Sequence, residues 1–411
     1  MLTKKAILFI VDGLGGRPTD LDGETCLEAA ETPNLDRISS GGVNGLLHTV
    51  KRGVKPGSDV AHLSILSYDP QEGYTGRGVF EAMGYGMKTE KGCIYFRTNF
   101  ATVDEKNVVE DRRAGRIEEG QEELEEAINS IELEDVGFRF KATNQHRGAL
   151  ELKGEGLSPH ITDTDPHESG EKIKSCEPAA SSEEARRTAD IVNEFMKKAR
   201  DVMKNLELNR RREDEGKYPA NCLLVRGASQ MMDVESLKEK FGVESACVGA
   251  GPLYLGVAKQ IGMETRKPEG ATGDFDSDLI SKAEAAVDEL ENKDFVFVHV
   301  KGADNAGHDH DADRKKRFLE KVDEAVGHLL ENMDWERTHM VFTGDHTTPI
   351  DYGNHTAEPV PIVYYGPKVR TDGVEEIGER PCAEGGLGHM EGLDVLPVLF
   401  NFNDWTDKYG S

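Results

Sequence analysis

Six aspartate and histidine residues stand after apolar runs, at positions where their side chains could bind a metal ion. They are Asp12, Asp304, His308, Asp345, His346 and His355. Mixed carboxylate and imidazole ligands suit manganese, zinc, cobalt or iron. Six protein ligands are too many for one catalytic ion, which must keep open coordination positions. The pattern therefore predicts two neighbouring metal ions, although each of these aspartates taken alone would more often belong to a turn.

A two-metal site of this kind can hold a transferring phosphoryl group, so a hydroxyl nucleophile is expected nearby. Ser58 lies in the run Gly-Ser-Asp at 57–59, where Gly57 permits a tight turn and a helical pattern follows. The N–H groups of a helix N-terminus stabilise phosphate. Taken alone, Ser58 is equally typical of a helix N-cap, but together with the predicted metal ligands it is better interpreted as a nucleophile.

Apolar runs that do not alternate with polar residues must position these side chains. Strand-like runs lie at 5–11, 221–226, 294–301, 339–343 and 361–365. Helical patterns lie between them at 181–206, 278–291 and 312–332. Buried strands alternating with helices predict an α/β fold with a parallel sheet that is covered on both faces. Because the carboxyl ends of parallel strands meet at one edge, the predicted ligands should gather there.

The segment 71–177 has a different pattern, in which two predicted hairpins flank an amphipathic helix at 118–131. This pattern indicates a smaller α+β domain inserted into the first. The predicted boundaries are 1–70 and 178–411 for the metal-binding core and 71–177 for the inserted cap domain, which we expect to bind the substrate.

The net charge of the chain excludes some classes of binding partner. Lys and Arg total 50 against 77 Asp and Glu, which gives a formal net charge of −27. Such a chain repels nucleic acids and anionic membranes, so neither is an expected partner. An anionic small-molecule substrate would need metal ions or clustered arginines to reverse the field locally. The sequence leaves open whether the chain forms a homo-oligomer.

The cysteines and the apolar runs indicate the compartment. Cys26, Cys93, Cys176, Cys222, Cys247 and Cys382 form no C-x-x-C pair, so buried free thiols are expected. The longest apolar run is far shorter than the roughly 18 to 20 residues of a membrane span. The start of the chain leads directly into a strand pattern without the features of a signal peptide. We therefore expect a cytoplasmic protein.

Motifs throughout the chain resemble the cofactor-independent phosphoglycerate mutases of the archaeal type, within the alkaline-phosphatase superfamily. Those around the predicted metal site are Val-Asp-Gly (11–13), Thr-Pro-Asn-Leu-Asp (32–36), Gly-Ser-Asp (57–59), Asp304 with His308, Gly-Asp-His (344–346) and the segment 355–361. Others that resemble the archaeal type are at 98–103, 111–116, 146–148 and 162–167. The first set alone would indicate only the superfamily, and the second set points to the mutase.

The resemblance implies an alkaline-phosphatase-like core and an isomerase that interconverts 2-phosphoglycerate and 3-phosphoglycerate in glycolysis and gluconeogenesis. It implies a phosphoserine intermediate at Ser58 and no need for 2,3-bisphosphoglycerate. One metal would be held by Asp304, His308 and His355. The other would be held by Asp12, Ser58, Asp345 and His346. Manganese is the implied metal, with magnesium, cobalt or zinc as alternatives.

The cap segment contains three arginines within five residues: Arg112, Arg113 and Arg116. Arginine forks bind carboxylate and phosphate, so this cluster is predicted to hold the glycerate half of the substrate and to keep water from the phosphoserine. The alternative is a solvated hairpin end. Further candidate substrate contacts are His146, Arg147, His62, Lys301 and Arg226.

Alternative functions of the protein, and the role of one run of polar residues, remain open. A metal-dependent phosphomonoesterase or another phosphomutase would have the same metal and nucleophile residues. A metal-storage or regulatory protein would not need a nucleophile, so Ser58 argues against it. Asp163, Asp165 and His167 could form a hinge or substrate contact, cap turns, or bind a separate metal.

Overall fold

The computed structural model describes residues 4–408 and 410. The chain divides into two compact units, a first unit of Met1–Glu72 and Val234–Ser411 and an inserted unit of Gly73–Asp233. No helix within the described residues is long and apolar enough to span a bilayer.

The strands of the described residues, in chain order, are β1 (Lys5–Val11), β2 (Gly42–His48), β3 (Cys93–Val103), β4 (Val109–Asp111), β5 (Gly137–Ala142), β6 (Arg147–Lys153), β7 (Cys222–Ser229), β8 (Ser245–Val248), β9 (Glu264–Arg266), β10 (Phe295–Val300), β11 (Thr338–Gly344), β12 (Val360–Tyr365) and β13 (Gly388–Glu391). The α-helices are α1 (Pro33–Ser40), α2 (Ser58–Ile65), α3 (Gly78–Gly84), α4 (Gln121–Asn129), α5 (Glu183–Lys204), α6 (Glu207–Asp214), α7 (Leu237–Phe241), α8 (Pro252–Gln260), α9 (Leu279–Asn292), α10 (Gly302–His308), α11 (Ala312–Asn332), α12 (Glu379–Ala383) and α13 (Val395–Phe402).

The first unit is built on an eight-stranded sheet in the order β13-β2-β12-β11-β1-β10-β8-β9. Helices cover both faces of this sheet. On one face, Val296 of β10 belongs to an apolar core with Phe318 of α11 and Ala283 of α9. On the other face, Phe295 packs against Phe400 of α13 with ring centroids 5.4 Å apart. Burial on both faces explains why these strands are continuous apolar runs.

One strand of this sheet differs from the prediction. The centre is parallel, with β1 between β10 and β11, but β12 runs antiparallel to both β11 and β2. A parallel return would need a crossover connection, usually a helix. The described residues 345–359 between β11 and β12 contain no helix, so the chain returns in the opposite direction.

The inserted unit contains an antiparallel sheet in the order β4-β3-β6-β5, with β7 also paired to β3. The predicted hairpins correspond to β3-β4 and β5-β6, and the predicted helix to α4. The unit extends to Asp233, whereas the predicted boundary was 177, and the strand predicted at 221–226 for the parallel sheet belongs here as β7. The reason is that Leu223 and Val225 of β7 and Phe195 of α5 belong to the same apolar core as Phe140 of β5.

Candidate active site

Three central strands of the first unit end level with one another and place the predicted ligands together. Val11, the last residue of β1, pairs with Val300 of β10 and with Gly344 of β11. Asp12 follows β1 directly, and Asp345 follows β11. Helix α10 begins two residues after β10 and carries Asp304 and His308 on one face because they are four residues apart.

One group consists of Asp304, His308 and His355. Asp304 Oδ1 lies 3.3 Å from His308 Nε2 and 3.5 Å from His355 Nε2. The other ring nitrogens donate to backbone carbonyls: His308 Nδ1 to Gly353 at 2.8 Å and His355 Nδ1 to Pro56 at 2.9 Å. Carbonyl acceptors of this kind fix the tautomer of metal-binding histidines and leave Nε2 as the ligand atom. The three ligand atoms lie within 4.8 Å of one another, which suits a single ion.

A second group surrounds His346. Its Nε2 lies 3.1 Å from Ser58 Oγ, 3.1 Å from Asp345 Oδ2 and 3.4 Å from Asp12 Oδ1. Asp12 Oδ1 and Asp345 Oδ2 are fully buried and have no hydrogen bond of good geometry within the described residues. Leaving a charged oxygen buried and unsatisfied is costly. These two oxygens therefore fit a bound cation.

The two groups are connected through Asp304 and Thr348. Asp304 also lies close enough to Asp12 and His346 to share an ion with them. The hydroxyl of Thr348 donates to Asp304 Oδ1 at 3.1 Å and lies 3.0 Å from His346 Nδ1. Since this hydroxyl donates to the carboxylate, it accepts from His346, which places the proton on Nδ1 and leaves Nε2 free to bind a metal.

Ser58 is the first residue of α2, and Gly57 is the N-cap. The Ser58 hydroxyl therefore does not cap the helix, and its contact is with His346 Nε2. An added Cβ at Gly57 would lie 2.7 Å from Asp59 Oδ1, so another residue there would displace the Asp59 side chain. The structure thus favours the nucleophile interpretation of Ser58 over the N-cap alternative.

Close pairing of carboxylates with a lysine and with histidines shifts the pKa values in this site. Burial opposes ionisation of Asp304, but Lys301 and neighbouring histidines hold its pKa well below its usual range. Burial also opposes charge on Lys301, yet Asp12 and other acidic groups raise its pKa well above the usual value. For His346, burial lowers the pKa, but Asp345 more than compensates, so the pKa is raised. A cation would be favoured in this field.

Lys301 and His62 were both predicted to contact the substrate. In the structure, each side chain contacts other residues of the protein. Lys301 Nζ lies 2.5 Å from Asp304 Oδ2 and 3.1 Å from Asp12 Oδ2, so it pairs with two candidate metal ligands. His62 has no exposed surface, and its Nδ1 donates to the Ser58 carbonyl at 2.6 Å. This i to i+4 bond turns the His62 ring into the protein interior, where it supports the backbone of Ser58, and the predicted substrate contact of His62 stays a prediction.

Three further residues belong to this site and were not predicted from the sequence: Thr348, Tyr254 and His299. The Tyr254 hydroxyl donates to Asp12 Oδ2, and His299 Nε2 lies 3.4 Å from the same oxygen. His299 could have been recognised from the sequence, because it is a histidine inside the apolar run of β10. Tyr254 is 242 residues from Asp12 in the chain and has no motif around it.

The remaining predicted contacts all belong to the inserted unit. Arg112 makes a bidentate pair with Asp165, with Nε 3.0 Å and Nη2 2.6 Å from its carboxylate oxygens. Arg226 Nη1 lies 3.4 Å from Asp165 Oδ2. Arg113 and Arg116 are exposed. Asp165 therefore forms ion pairs with two arginines, Arg112 and Arg226.

His146 is buried in the turn between β5 and β6. Burial, followed by the charges of Arg147 and Arg113, lowers the pKa of His146 to about 3. Arg147, which begins β6, also helps to hold the pKa of buried Glu81 low against the effect of burial. Several arginines of this unit therefore act on His146 together, although the whole chain is acidic.

The flanking linker residues have structural contacts. Asp163 Oδ1 accepts from the Gly227 N–H at 2.8 Å, and Asp165 Oδ1 accepts from the His167 N–H at 2.9 Å. Among the described residues, these three side chains form no group that could hold a metal ion. Of the open alternatives, turn capping fits these contacts, whereas the pairing of Asp165 with arginine was not among them.

Comparison with known proteins gives the family. A family model described as 2,3-bisphosphoglycerate-independent phosphoglycerate mutase matches residues 39–209, and one described as type I phosphodiesterase / nucleotide pyrophosphatase matches residues 180–358. The 2,3-bisphosphoglycerate-independent phosphoglycerate mutase 1 of Methanocaldococcus jannaschii is 45% identical over 408 residues, covering 99% of each chain. The chain belongs to this mutase family. The mutase of Methanopyrus kandleri is 44% identical and covers 100% of this chain and 99% of its own.

Solved structures agree with the mutase family. A cofactor-independent phosphoglycerate mutase from Thermoplasma acidophilum has a TM-score of 0.71 at 34% identity, covering 98% of this chain and 100% of its own. A protein from Pyrococcus horikoshii has a TM-score of 0.88 at 36% identity, covering 100% of both chains. The predicted family and the predicted α/β fold with an inserted α+β unit are therefore confirmed.

Proposed function

We propose that this enzyme interconverts 2-phosphoglycerate and 3-phosphoglycerate without 2,3-bisphosphoglycerate, by passing the phosphoryl group through Ser58. The family membership supports the overall reaction. The observation that carries the serine route is the position of Ser58 Oγ, 3.1 Å from His346 Nε2. The same nitrogen lies 3.1 Å from Asp345 Oδ2 and 3.4 Å from Asp12 Oδ1, two buried oxygens without a hydrogen-bond partner among the described residues.

In this proposal the first unit is the phosphotransferase core and holds two divalent metal ions, with manganese as the proposed metal. Asp304, His308 and His355 would hold one of them. The other would be held by Asp12, Ser58, Asp345 and His346. When bound, such ions supply positive charge that stabilises a transferring phosphoryl group and favours loss of the serine proton.

The chain's own residues have separate tasks. Ser58 attacks the phosphorus and releases glycerate, and the second half-reaction returns the phosphoryl group to the other hydroxyl of glycerate. The backbone N–H groups at the start of α2 stabilise the phosphate on Ser58. Lys301 balances the charge of Asp12 and Asp304, and Thr348 keeps the His346 proton on Nδ1.

The inserted unit is proposed to bind the substrate carboxylate. Arg113 and Arg116 are the better candidates within the arginine cluster, because Arg112 is already paired with Asp165. Arg147 adds a further positive charge to this cluster, which suits an anionic ligand, and the buried His146 beside it stays neutral. Holding glycerate between the two half-reactions is what distinguishes a mutase from a phosphatase, because glycerate that leaves exposes the phosphoserine to water.

The experiment is a side-by-side assay of purified protein on 2-phosphoglycerate, with and without Mn²⁺ and 2,3-bisphosphoglycerate. We expect 3-phosphoglycerate as the main product, dependence on the metal, and no stimulation by bisphosphoglycerate. Release of inorganic phosphate as the main product would favour the phosphomonoesterase alternative. An absolute need for bisphosphoglycerate would contradict the serine route.

A further inference from the structure

The two oxygens of Asp12 have different environments. Oδ2 accepts from the Tyr254 hydroxyl and lies 3.1 Å from Lys301 Nζ and 3.4 Å from His299 Nε2. Oδ1 has no hydrogen-bond partner within the described residues and points to His346 Nε2 at 3.4 Å. One oxygen is therefore surrounded by donors, and the other is available to a ligand.

Tyr254 is held firmly in place. It lies in the first turn of α8, is almost completely buried, and its ring stacks on His299 with centroids 3.5 Å apart. The ring also packs against His62 at 4.9 Å. An added Cβ at Gly251, the N-cap of α8, would lie 2.6 Å from Tyr254 Cδ2, so this ring position requires the glycine.

We infer that Tyr254 is a positioning residue that makes Asp12 bind its metal through Oδ1 alone. The inference rests on the proposed two-metal site. A carboxylate can bind a metal through one oxygen or both. A hydroxyl that occupies Oδ2 prevents the second mode and fixes the orientation of the group. Hydrogen-bonding partners of this kind commonly account for about 10- to 100-fold in metal affinity.

A second buried tyrosine provides a matched control. Tyr364 of β12 is also fully buried, and its hydroxyl donates to the Val395 carbonyl at 3.0 Å. Among the described residues, its hydrogen bond and ring contact are with Val395 and Phe402 and not with the candidate ligands. Tyr254→Phe and Tyr364→Phe each remove one buried hydroxyl that acts as a hydrogen-bond donor, so a general loss of stability should affect both variants.

The experiment measures binding of Mn²⁺ by calorimetry and the visible absorption of the Co²⁺-loaded protein in the parent and both variants. In Tyr254→Phe we expect a roughly 10- to 100-fold loss of affinity at one of two sites, with the site of Asp304, His308 and His355 unchanged. The Co²⁺ absorption should also change in Tyr254→Phe, because Oδ2 then keeps only its contacts with Lys301 and His299 and the carboxylate is less firmly oriented at the metal. Tyr364→Phe should match the parent in both measurements.

Gly251→Ala gives an independent perturbation, since it displaces the Tyr254 ring and keeps the hydroxyl. It should weaken the same site as Tyr254→Phe. If both Tyr254→Phe and Gly251→Ala keep the parent's affinities and Co²⁺ spectrum, the inference is overturned and the two-metal proposal stands. If the parent itself binds no metal, the two-metal proposal and the inference both fail.

Discussion

Thr348 offers a sharp test of how the site is organised. Its fully buried hydroxyl accepts from His346 Nδ1 and donates to Asp304 Oδ1. Thr348→Val keeps a similar shape but leaves a buried N–H without a partner and removes a bond to a carboxylate. An unsatisfied buried group and a lost charge-assisted bond together should lower the free energy of unfolding by about 2 to 4 kcal/mol. Without an acceptor for Nδ1, the His346 proton is also free to move to Nε2, so we expect roughly 10- to 100-fold weaker metal binding.

The assay uses urea unfolding followed by tryptophan fluorescence, with chelator present, and a separate Mn²⁺ titration. Both tryptophans, Trp335 and Trp405, lie in the first unit, so the fluorescence reports the unit that contains Thr348. Thr338→Val is the matched control, because the Thr338 hydroxyl is buried in β11 without a partner within the described residues. The Thr338→Val variant should have the same free energy of unfolding as the parent or a slightly higher one. If Thr348→Val unfolds at the parent's urea concentration and binds Mn²⁺ as tightly, the proposed role of the Thr348 hydroxyl is wrong.

Three further predictions concern the metals, the arginines and a buried histidine. Chelation should abolish mutase activity and Mn²⁺ should restore it, with metal affinity falling at low pH because ligand histidines must be neutral; an active preparation with no metal by elemental analysis would contradict this. Arg113→Ala or Arg116→Ala should raise the ratio of phosphate release to isomerisation by roughly 10- to 100-fold, since one charge-assisted contact to glycerate is lost; unchanged ratios in both variants would leave the cluster a solvated surface. His146 has a folded pKa of about 3, below its unfolded value, so its contribution to stability is present above about pH 6.5 and declines as the pH falls towards 3. His146→Gln should make unfolding less dependent on pH over that window, and an identical pH profile would show that burial of His146 has no such effect.

The central part of the site could be predicted from the sequence because its candidate ligands follow strands of a parallel sheet. Asp12, Asp304 and Asp345 all follow buried strands, and parallel strands bring their carboxyl ends to one edge. The predicted helix and hairpins of the inserted unit were also recognisable from local patterns. Each strand, helix and hairpin depends on residues that are close together in the chain, and the sheet rule then joins the distant strands.

Two predictions about strands were wrong, the sheet of β7 and the direction of β12, and both concern strands that are buried on both faces. In β7, Leu223 packs into one apolar core and Leu224 into another, so the strand shows no alternation although its pairing is antiparallel. A continuous apolar run indicates burial but not the direction or the sheet of a strand. The same ambiguity concealed the antiparallel direction of β12. Tyr254 was missed because its contact with Asp12 joins residues 242 apart in the chain. Thr348 was missed because it links His346 to Asp304, which lies 44 residues away.

The central claim is that Ser58 carries the phosphoryl group during isomerisation. The most direct measurement is to mix the Mn²⁺-loaded enzyme with 2-phosphoglycerate, quench it with acid within the first turnovers, and map phosphorylated peptides by mass spectrometry. Ser64→Ala is a suitable control, because Ser64 is buried in the same helix and its hydroxyl has no partner within the described residues. We predict phosphoserine at position 58 in the parent and in Ser64→Ala, and neither phosphopeptide nor isomerisation in Ser58→Ala. A phosphoryl group on another residue, or isomerisation that persists in Ser58→Ala, would contradict the account.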